Sequence, residues 1–465
     1  MRTLIRDAMI VSVDDRIGDL KRGAILVEGD RIMEVAPDID GPEGADVIDG
    51  AGMVAMPGFV NAHIHTWQTA LRGVAADWTL AQYLRAMHTG LAGQFSPDDI
   101  RIANYFGALN QIASGTTTLA DWCHNNPTPD HTDAAIDGLM RSGIRAVFLH
   151  GSPKPDPKPG QKHFSEIPMP AVEVKRVRTE RLSSDDALVT MGLAILGPQL
   201  SVWDACESDF RLARDLDLVA STHVSGKLLT EDGFERLSMT GLLGPRINVV
   251  HGNILGDDRL AMLVDQGVSF SLTPEVELQM GHGDPLTSRL RRLGGRISLG
   301  SDVESAMTGD MFAVTRFALQ AARHKDNLEA LTTQGAGPDQ ISVTAREALR
   351  WSTIEGARML GLDHRIGSLT PGKQADIVLL DACKLNMFPV VDPVAAIVLH
   401  AGIVNVDTVL IAGETRKRDG LLVDELRLDE MEALEHSGRR ILGDHGRPVK
   451  RAGLEIALGP DGSGR

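Results

Sequence analysis

Polar residues stand at the ends of several short apolar segments along this sequence, and this pattern limits the folds open to it. His63 and His65 end the segment FVNAHIH, and because alternate residues of a strand point to the same side, both imidazoles can face one ion. His223, His251 and Asp302 each follow a later segment of the same kind. Polar residues at the carboxyl ends of successive strands are characteristic of parallel α/β barrels. The recurrence therefore predicts a barrel with a site at its mouth.

Eight such segments occur between residues 57 and 360, and stretches with helical periodicity separate several of them, as in SPDDIRIANYFGALNQIA (96–113). The predicted strands are VNAHIH, SGTTTLADW, RAVFLHGS, LVTMGLAILGP, LVASTHVS, INVVHGN, VSFSLTP and RISLGSD. The fold class is therefore predicted as α/β, with a (β/α)8 TIM barrel over residues 57–360. The Pro- and Lys-rich stretch 151–170 lacks periodicity and is predicted as a long loop, either a lid or a disordered surface segment.

Both ends of the sequence have the pattern of short strands joined by glycine and aspartate turns. In residues 1–56, Gly29 and Asp30 are predicted to join two strands as a hairpin. A similar pattern returns over residues 361–425. The two ends are therefore predicted to form one small composite β-sandwich domain, with the barrel inserted between them. Residues 426–465 are predicted to be a charged, partly helical C-terminal tail.

Composition and charge argue against several classes of protein. The 465 residues are 43% hydrophobic, which is ample for a large core, and no apolar run is long enough to span a membrane. The 47 basic and 63 acidic residues give a net charge of −16, which disfavours nucleic acid and anionic lipid as partners. Three separated cysteines indicate a reducing cytoplasm, and early charges argue against a signal peptide. A neutral or cationic small molecule is the expected partner.

The polar residues at the strand ends fit a catalytic metal site. Such a site needs a few protein ligands and an open position for a water, whose pKa the metal lowers. His63, His65 and His223 would supply nitrogen donors, and Asp302 would be both a ligand and the base for the attacking water. His251 would polarise a carbonyl or stabilise an oxyanion. A single histidine after a strand is more often a hydrogen-bonded core or surface residue, but the ordered set favours one divalent ion: zinc, cobalt, iron or manganese.

Several segments in order resemble sequence blocks of the metal-dependent amidohydrolases, in the branch of chlorotriazine hydrolases and of cytosine or S-adenosylhomocysteine deaminases. They are PGFVNAHIH, SGTTTLADW, the HGN that starts at His251, the GSD that ends at Asp302, and GSLTPGKQADIVLLD. The resemblance covers residues 1–425 and implies a (β/α)8 barrel with a composite β-sandwich and hydrolysis by activated water. It also implies the same four metal ligands, with His251 contacting substrate or water. Binuclear members bridge two metals with a strand-four lysine, which LVTMGLAILGP lacks, so one metal is expected.

Two positions depart from this branch. Its deaminases and triazine hydrolases usually have a glutamate three residues beyond the strand-five histidine, where it moves a proton to the ring nitrogen and the leaving group; here that residue is Gly226. Gln199 stands where many relatives have a substrate-binding histidine. The segment TPEVELQMGHG resembles the phenylurea hydrolase and molinate hydrolase subgroup, whose members cleave ureas or thiocarbamates. Glu277 or His282 from this segment could replace the missing glutamate, although its acids could also form only a polar loop face.

Four residues near the predicted strand ends are candidates for substrate contact: Trp67, Gln68, Trp122 and Gln199. Aromatic walls suit an apolar, uncharged substrate. Each tryptophan can equally be explained by core or interdomain packing.

Three functions follow from these observations. The leading hypothesis is a mononuclear metal-dependent hydrolase that attacks a small uncharged urea, carbamate or thiocarbamate, with Asp302, His251, His282 and Glu277 as the catalytic candidates. The second is an aminohydrolase of a purine, pterin or triazine ring. The third, a non-catalytic scaffold, is disfavoured because the complete ligand set is present. By the same resemblance, the chain is expected to form a homo-oligomer.

Overall fold

The strands of the computed structural model, which describes residues 2–424 and 426–443, form two separate sheets. In chain order they are β1 (Arg2–Val11), β2 (Asp19–Glu28), β3 (Arg31–Ala36), β4 (Asp46–Asp49), β5 (Met53–Pro57), β6 (Phe59–Ile64), β7 (Thr116–Cys123), β8 (Arg145–Gly151), β9 (Val189–Ile195), β10 (Ala220–Val224), β11 (Ile247–His251), β12 (Ser269–Leu272), β13 (Arg296–Leu299), β14 (Ile377–Asp381), β15 (Val406–Ile411), β16 (Glu414–Arg418) and β17 (Leu421–Leu422). The first sheet contains β6 to β13, and the second takes its strands from both ends of the chain.

The first sheet is the predicted eight-stranded barrel. Strands β6 to β13 pair in parallel, each with its neighbour in the chain. The last strand returns to the first, because the amide of Asp302 donates to the carbonyl of His63 (3.0 Å) and the amide of His65 donates to the carbonyl of Asp302 (2.8 Å). A Cβ on Gly300 would lie 2.6 Å from the His63 carbonyl oxygen, so this close approach requires glycine. All eight predicted strand segments are confirmed.

Helices connect the barrel strands and follow the last of them. They are α1 (Leu80–Tyr83), α2 (Pro97–Ala113), α3 (Pro129–Ser142), α4 (Ala171–Arg176), α5 (Gly197–Leu200), α6 (Trp203–Asp215), α7 (Gly233–Met239), α8 (Asp257–Asp265), α9 (Pro274–Met280), α10 (Thr287–Leu293), α11 (Met311–Gln334), α12 (Ala345–Trp351), α13 (Ile354–Met359), α14 (Pro393–Ala395) and α15 (Leu428–Ile441). The predicted helix over 96–113 begins after Ser96, whose hydroxyl accepts from the amide of Asp99, while the Asp99 carboxylate accepts from the Ser96 amide.

The second sheet is mixed and combines β1 to β5 with β14 to β17. Its main path is β17-β16-β15-β14-β5-β1-β2-β3, with β4 beside β1. The predicted hairpin at Gly29 is confirmed, since this residue has a φ of 61° between β2 and β3. Apolar side chains from both ends of the chain form one separate core in this sheet. The exact domain boundaries at residues 56 and 360 stay predictions.

The C-terminal helix packs on the barrel. In α15, a Cβ on Gly438 would lie 2.4 Å from the carbonyl oxygen of Ala70, so the two backbones are in close contact. Arg440 pairs with the carboxylate of Asp99 and donates to the carbonyl of Gln94. The rest of the predicted tail, residues 444–465, lies outside the described residues. Nowhere in the described part of the chain does a helix have both the length and the hydropathy needed to cross a membrane.

A buried ion pair joins the barrel to the second sheet. Arg145, at the start of β8, donates to both carboxylate oxygens of Asp376, at 2.9 and 3.0 Å. Both side chains are 2% exposed. The same carboxylate accepts from the amide of Ala412, at 2.7 Å. Because a charge buried without its partner is costly, this pair should couple the stability of the two sheets.

We expect Arg145→Met to lower the free energy of unfolding by about 3–5 kcal/mol, because it leaves the Asp376 carboxylate buried and without its cation. Urea denaturation followed by circular dichroism measures the change. The control is Arg418→Met, which removes the exposed Arg418–Asp46 pair and should cost about 1 kcal/mol or less. Equal losses in the two variants would contradict this assignment.

Candidate metal centre

Four side chains converge at the carboxyl ends of the barrel strands. The ligand atoms of His63, His65, His223 and Asp302 all lie within 4.8 Å of one another. Asp302 Oδ1 lies 3.3 Å from His63 Nε2 and 3.4 Å from His65 Nε2. His63 Nε2 lies 3.2 Å from His223 Nε2. The group therefore has the donor set and the size of a divalent metal site.

Backbone geometry directs Asp302 and His251 into this site. Both residues have left-handed φ values, 62° for Asp302 and 64° for His251. This conformation costs about 1–3 kcal/mol for a residue other than glycine and is concentrated at functional sites. For Asp302, the backbone hydrogen bonds with His63 and His65 that close the barrel hold the conformation.

The protonation states of the four residues suit a metal. His65 Nδ1 donates to the carbonyl of Trp122 at 2.6 Å, which leaves Nε2 free of a proton. Burial lowers the pKa of His65 to about 3 and also lowers the pKa values of His63 and His223, so all three imidazoles are neutral. Burial alone would raise the pKa of Asp302, but its interactions with His63 hold the pKa below the ordinary value. Three neutral nitrogens therefore face one carboxylate, as a divalent cation requires.

Glu277 reaches this site only through His251. Its Oε1 lies 3.3 Å from His251 Nδ1 and accepts from the amide of Thr273 at 2.8 Å, while Oε2 accepts from Asn253 Nδ2 at 3.1 Å. His251 Nε2 in turn lies 3.8 Å from Asp302 Oδ2. Glu277 is fully buried behind His251, so its side chain orients the imidazole and does not contact the cavity.

The segment that contains Glu277 is helical, so the alternative that its acids form only a polar loop face is wrong. Pro274 occupies the first turn of α9, and Gly281 ends the helix with a φ of 82°. This helix turns Glu277 toward the protein interior. It also corrects the prediction of Glu277 as a proton shuttle, because no free carboxylate oxygen faces the cavity. His282 follows the helix and lines the cavity, with no hydrogen-bond partner at either ring nitrogen.

A cavity adjoins the four converging residues. It is lined by His65, Leu80, Tyr83, Leu84, His88, His124, Lys154, Gln199, Leu200, His223, Ser225, His251, Val276, Met280, His282, Asp302 and Val303. Much of the wall is therefore apolar, and imidazoles contribute most of its polar groups. Such a mixture suits a small-molecule ligand with a few fixed polar contacts.

Of the four predicted substrate residues, only Gln199 lines this cavity. Trp122 is not among the lining residues, but its ring centre lies 4.2 Å from that of His223, which is. Trp67 is fully buried against Phe95, at 5.1 Å between ring centres, which corrects its prediction as a substrate contact. Gln68 is corrected for a similar reason, since its amide is used in hydrogen bonds to buried hydroxyl groups of Tyr83 and Ser305.

Sequence reasoning missed His88 and Lys154, two polar residues of the cavity wall. His124 Nε2 and His88 Nδ1 form a hydrogen-bonded pair at 2.9 Å. Lys154 belongs to the segment 151–170 and is buried at the cavity. Nothing in the local pattern distinguishes His88 or Lys154 from surface residues, because the path of a loop brings each to the site.

Gly226 leaves the position of the expected glutamate without a side chain. A Cβ at this residue would lie 3.0 Å from Gln199 Nε2. Gln199 is held there because its Oε1 accepts from the amide of Ser225 at 2.7 Å. A neutral amide therefore borders residue 226, where the resemblance leads us to expect a carboxylate.

With this geometry established, comparison with known proteins decides the family. The model of the amidohydrolase family matches residues 54–416, which is most of the chain. The chain belongs to the amidohydrolase family. This amidohydrolase is therefore a metal-dependent hydrolase of carbon–nitrogen bonds.

Individual relatives agree with this assignment. A 5'-deoxyadenosine deaminase of Methanothermobacter thermautotrophicus is 29% identical over 415 residues, or 87% of this amidohydrolase and 91% of the relative. A 5-methylthioadenosine/S-adenosylhomocysteine deaminase of Moorella thermoacetica is 30% identical over 432 residues, or 89% and 93%. The crystal structure of an atrazine chlorohydrolase from Arthrobacter aurescens, complexed with zinc, superposes with a TM-score of 0.80 at 23% identity and covers 95% of this chain and 100% of that one. The fold is thus that of the chlorotriazine hydrolase branch.

We expect the purified protein to retain a divalent metal after dialysis and His65→Ala to lose it. Elemental analysis measures the metal content. Metal at about 100 times its Kd adds about 2.7 kcal/mol to the stability of the native state, so a chelator should lower the Tm of the wild type but not that of His65→Ala. His364→Ala, at an exposed histidine, is the control and should keep the metal. Full metal content in His65→Ala would contradict this ligand set.

We expect Glu277→Ala to lower kcat by about 10–100-fold with little change in metal content, since it removes the group that orients His251. Glu277→Gln keeps one acceptor oxygen and should lie between that variant and the wild type. The control is Glu275→Gln on the same helix, outside the cavity wall. A loss of metal in Glu277→Ala, or an equal loss of kcat in Glu275→Gln, would show that Glu277 has only a structural role.

Proposed function

We propose that this amidohydrolase is an aminohydrolase that removes an exocyclic amino group from a nitrogen heterocycle of the purine, pterin or triazine type. The convergence of His63, His65, His223 and Asp302 beside a cavity for a small ring supports the proposal most directly. Two relatives matched over most of their length are named as deaminases of adenosine-type compounds, which favours this reaction over hydrolysis of a urea or thiocarbamate.

The proposed metal is one zinc ion, since a related structure is a zinc complex. The four converging residues would hold it, and it would supply the Lewis acidity that makes water nucleophilic near neutral pH. Asp302 is ionised and would accept a proton from the attacking water through its carboxylate. His251, fixed through Nδ1 by Glu277 and Thr273, would direct Nε2 at the water or at the substrate atom where negative charge develops.

The leaving group needs a proton, and Gly226 cannot provide one. Water oxygen forms a bond to the ring carbon, the bond from that carbon to the amino nitrogen breaks, and ammonia and the ring ketone result. His282 is the proposed carrier of the proton to the departing nitrogen. Both of its ring nitrogens lack a partner, and its ring centre lies 4.6 Å from that of His251.

Hydrolysis of a urea, carbamate or thiocarbamate is the second candidate. One observation favours it: without a carboxylate at position 226, the cavity lacks the acid that deaminases of this branch use on the ring nitrogen. An open-chain substrate has no ring nitrogen to protonate, so it does not need that acid. The cytoplasmic location and the homo-oligomeric state stay predictions.

The test is a panel of substrates with the zinc-loaded protein. We expect ammonia release from adenosine-type nucleosides, aminopterins or aminotriazines, measured by a coupled ammonia assay. Phenylureas, carbamates and thiocarbamates should be turned over at least about tenfold less efficiently, a difference of about 1.4 kcal/mol in the barrier. Asp302→Asn should lower kcat by about 10²–10⁴-fold through loss of the base. Turnover confined to the second group would establish the second candidate instead.

A further inference from the structure

Lys154 is a buried lysine with no partner of opposite charge. It follows β8 in the chain, and 6% of its surface is exposed. Its Nζ lies 5.1 Å from the centre of the Trp122 ring. Within residues 2–424 and 426–443, no carboxylate pairs with this ammonium group and no acceptor forms a hydrogen bond to it. Lysine is almost never buried without a partner, because an ammonium group loses its hydration on burial.

The cavity wall offers little negative charge to balance the ammonium group of Lys154. Among the described residues of the cavity wall, Lys154 is the one lysine or arginine and Asp302 the one aspartate or glutamate, and a divalent cation at the metal centre would more than offset the carboxylate. Burial lowers the pKa of the lining histidine His88 well below its usual value. Burial also lowers the pKa of Lys154 to about 8, which still leaves it mainly protonated at neutral pH. The cavity therefore has an uncompensated positive charge.

The position of Lys154 places that charge beside the reacting centre. Trp122 is a neighbour of both groups: its ring centre lies 5.1 Å from Lys154 Nζ and 4.2 Å from the ring centre of His223. The attraction between an ammonium group and an aromatic ring is weaker than the hydration that the group loses, so Trp122 alone does not account for the burial. A ligand that enters the cavity can supply the missing acceptor.

We propose that Lys154 binds an anionic oxygen group, a carboxylate or a phosphate, on the substrate. The proposal rests on the proposed aminohydrolase function and narrows it to heterocyclic amines that have such a substituent. The apolar part of the wall, which includes Val276 and Met280, would contact the ring, while the ammonium group fixes the substituent. This replaces the uncharged substrate expected from the sequence, because the expectation took no account of a lysine in the wall.

The first test uses matched amino-heterocycles that differ only in a neutral, a carboxylate or a phosphate substituent. We expect the wild type to prefer one of the anionic forms in kcat/KM, and the two anionic arms show which group fits. Lys154→Met should lower the ratio of kcat/KM for the anionic over the neutral form by about 10–100-fold, the usual range for a hydrogen bond to a charged group, chiefly through KM. Lys154→Arg, which keeps the charge, should retain part of the preference. Lys158→Met, at an exposed lysine of the same loop, should leave the ratio unchanged.

A binding measurement separates this proposal from the reaction itself. Calorimetric titration of the metal-loaded protein with the corresponding oxo-heterocycles, neutral and carboxylated or phosphorylated, measures the same preference without turnover. If no amine is deaminated but the anionic ring still binds in a Lys154-dependent manner, the proposed function fails and the role of Lys154 stands. If the wild type has no preference for the anionic forms, or Lys154→Met keeps it, the role of Lys154 is wrong. Lys154→Met should be at least as stable to urea as the wild type; a large loss of stability would assign the lysine a structural role instead.

Discussion

The hydrogen bonds that close the barrel also assemble the site. Strand β13 meets β6 through the backbone of Asp302, which donates to His63 and accepts from His65, and these three residues are also candidate metal ligands. The contact leaves no space for a side chain at Gly300. Fold and function therefore depend on the same contact between β13 and β6. A change that separates these two strands also separates the Asp302 carboxylate from the imidazoles of His63 and His65. The left-handed backbone of Asp302 can be tolerated because both of its backbone hydrogen-bonding groups are fixed there.

The contact between β13 and β6 does not by itself determine the chemistry of the site. Buried neighbours of the histidines determine which ring atoms face the metal centre. The Trp122 carbonyl fixes the tautomer of His65, and the Glu277 carboxylate fixes the ring of His251. Removal from water keeps the imidazoles neutral, while the same environment holds Asp302 ionised through its contacts with them. The centre is thus arranged for a cation and for a negatively charged transition state before either is present, which is the condition for electrostatic catalysis.

The parts of the molecule that depend on local pattern could be predicted from the sequence. An apolar segment that ends in a histidine identifies both a strand and the residue at its carboxyl end, as with His223. The barrel and the converging group could therefore be predicted from the sequence. Features that depend on how the chain runs between the strands could not be predicted in this way. The sequence suggested Glu277 either as a proton shuttle or as part of a polar loop face, whereas the helix that begins at Pro274 turns it behind His251. Trp67 follows a ligand pair in sequence but packs away from the cavity, and Lys154 enters it from a segment without periodicity.

Gly226 and Lys154 both affect the charge of the cavity. A glutamate at position 226, as in deaminases of this branch, would place a carboxylate beside Gln199, which lines the same cavity as Lys154. Such a carboxylate could partner a buried ammonium group. Here residue 226 has no carboxylate while the ammonium group is present, so no side chain at residue 226 balances the charge of Lys154. The proposed anionic substituent of the substrate would supply the negative charge that no described side chain places beside Lys154.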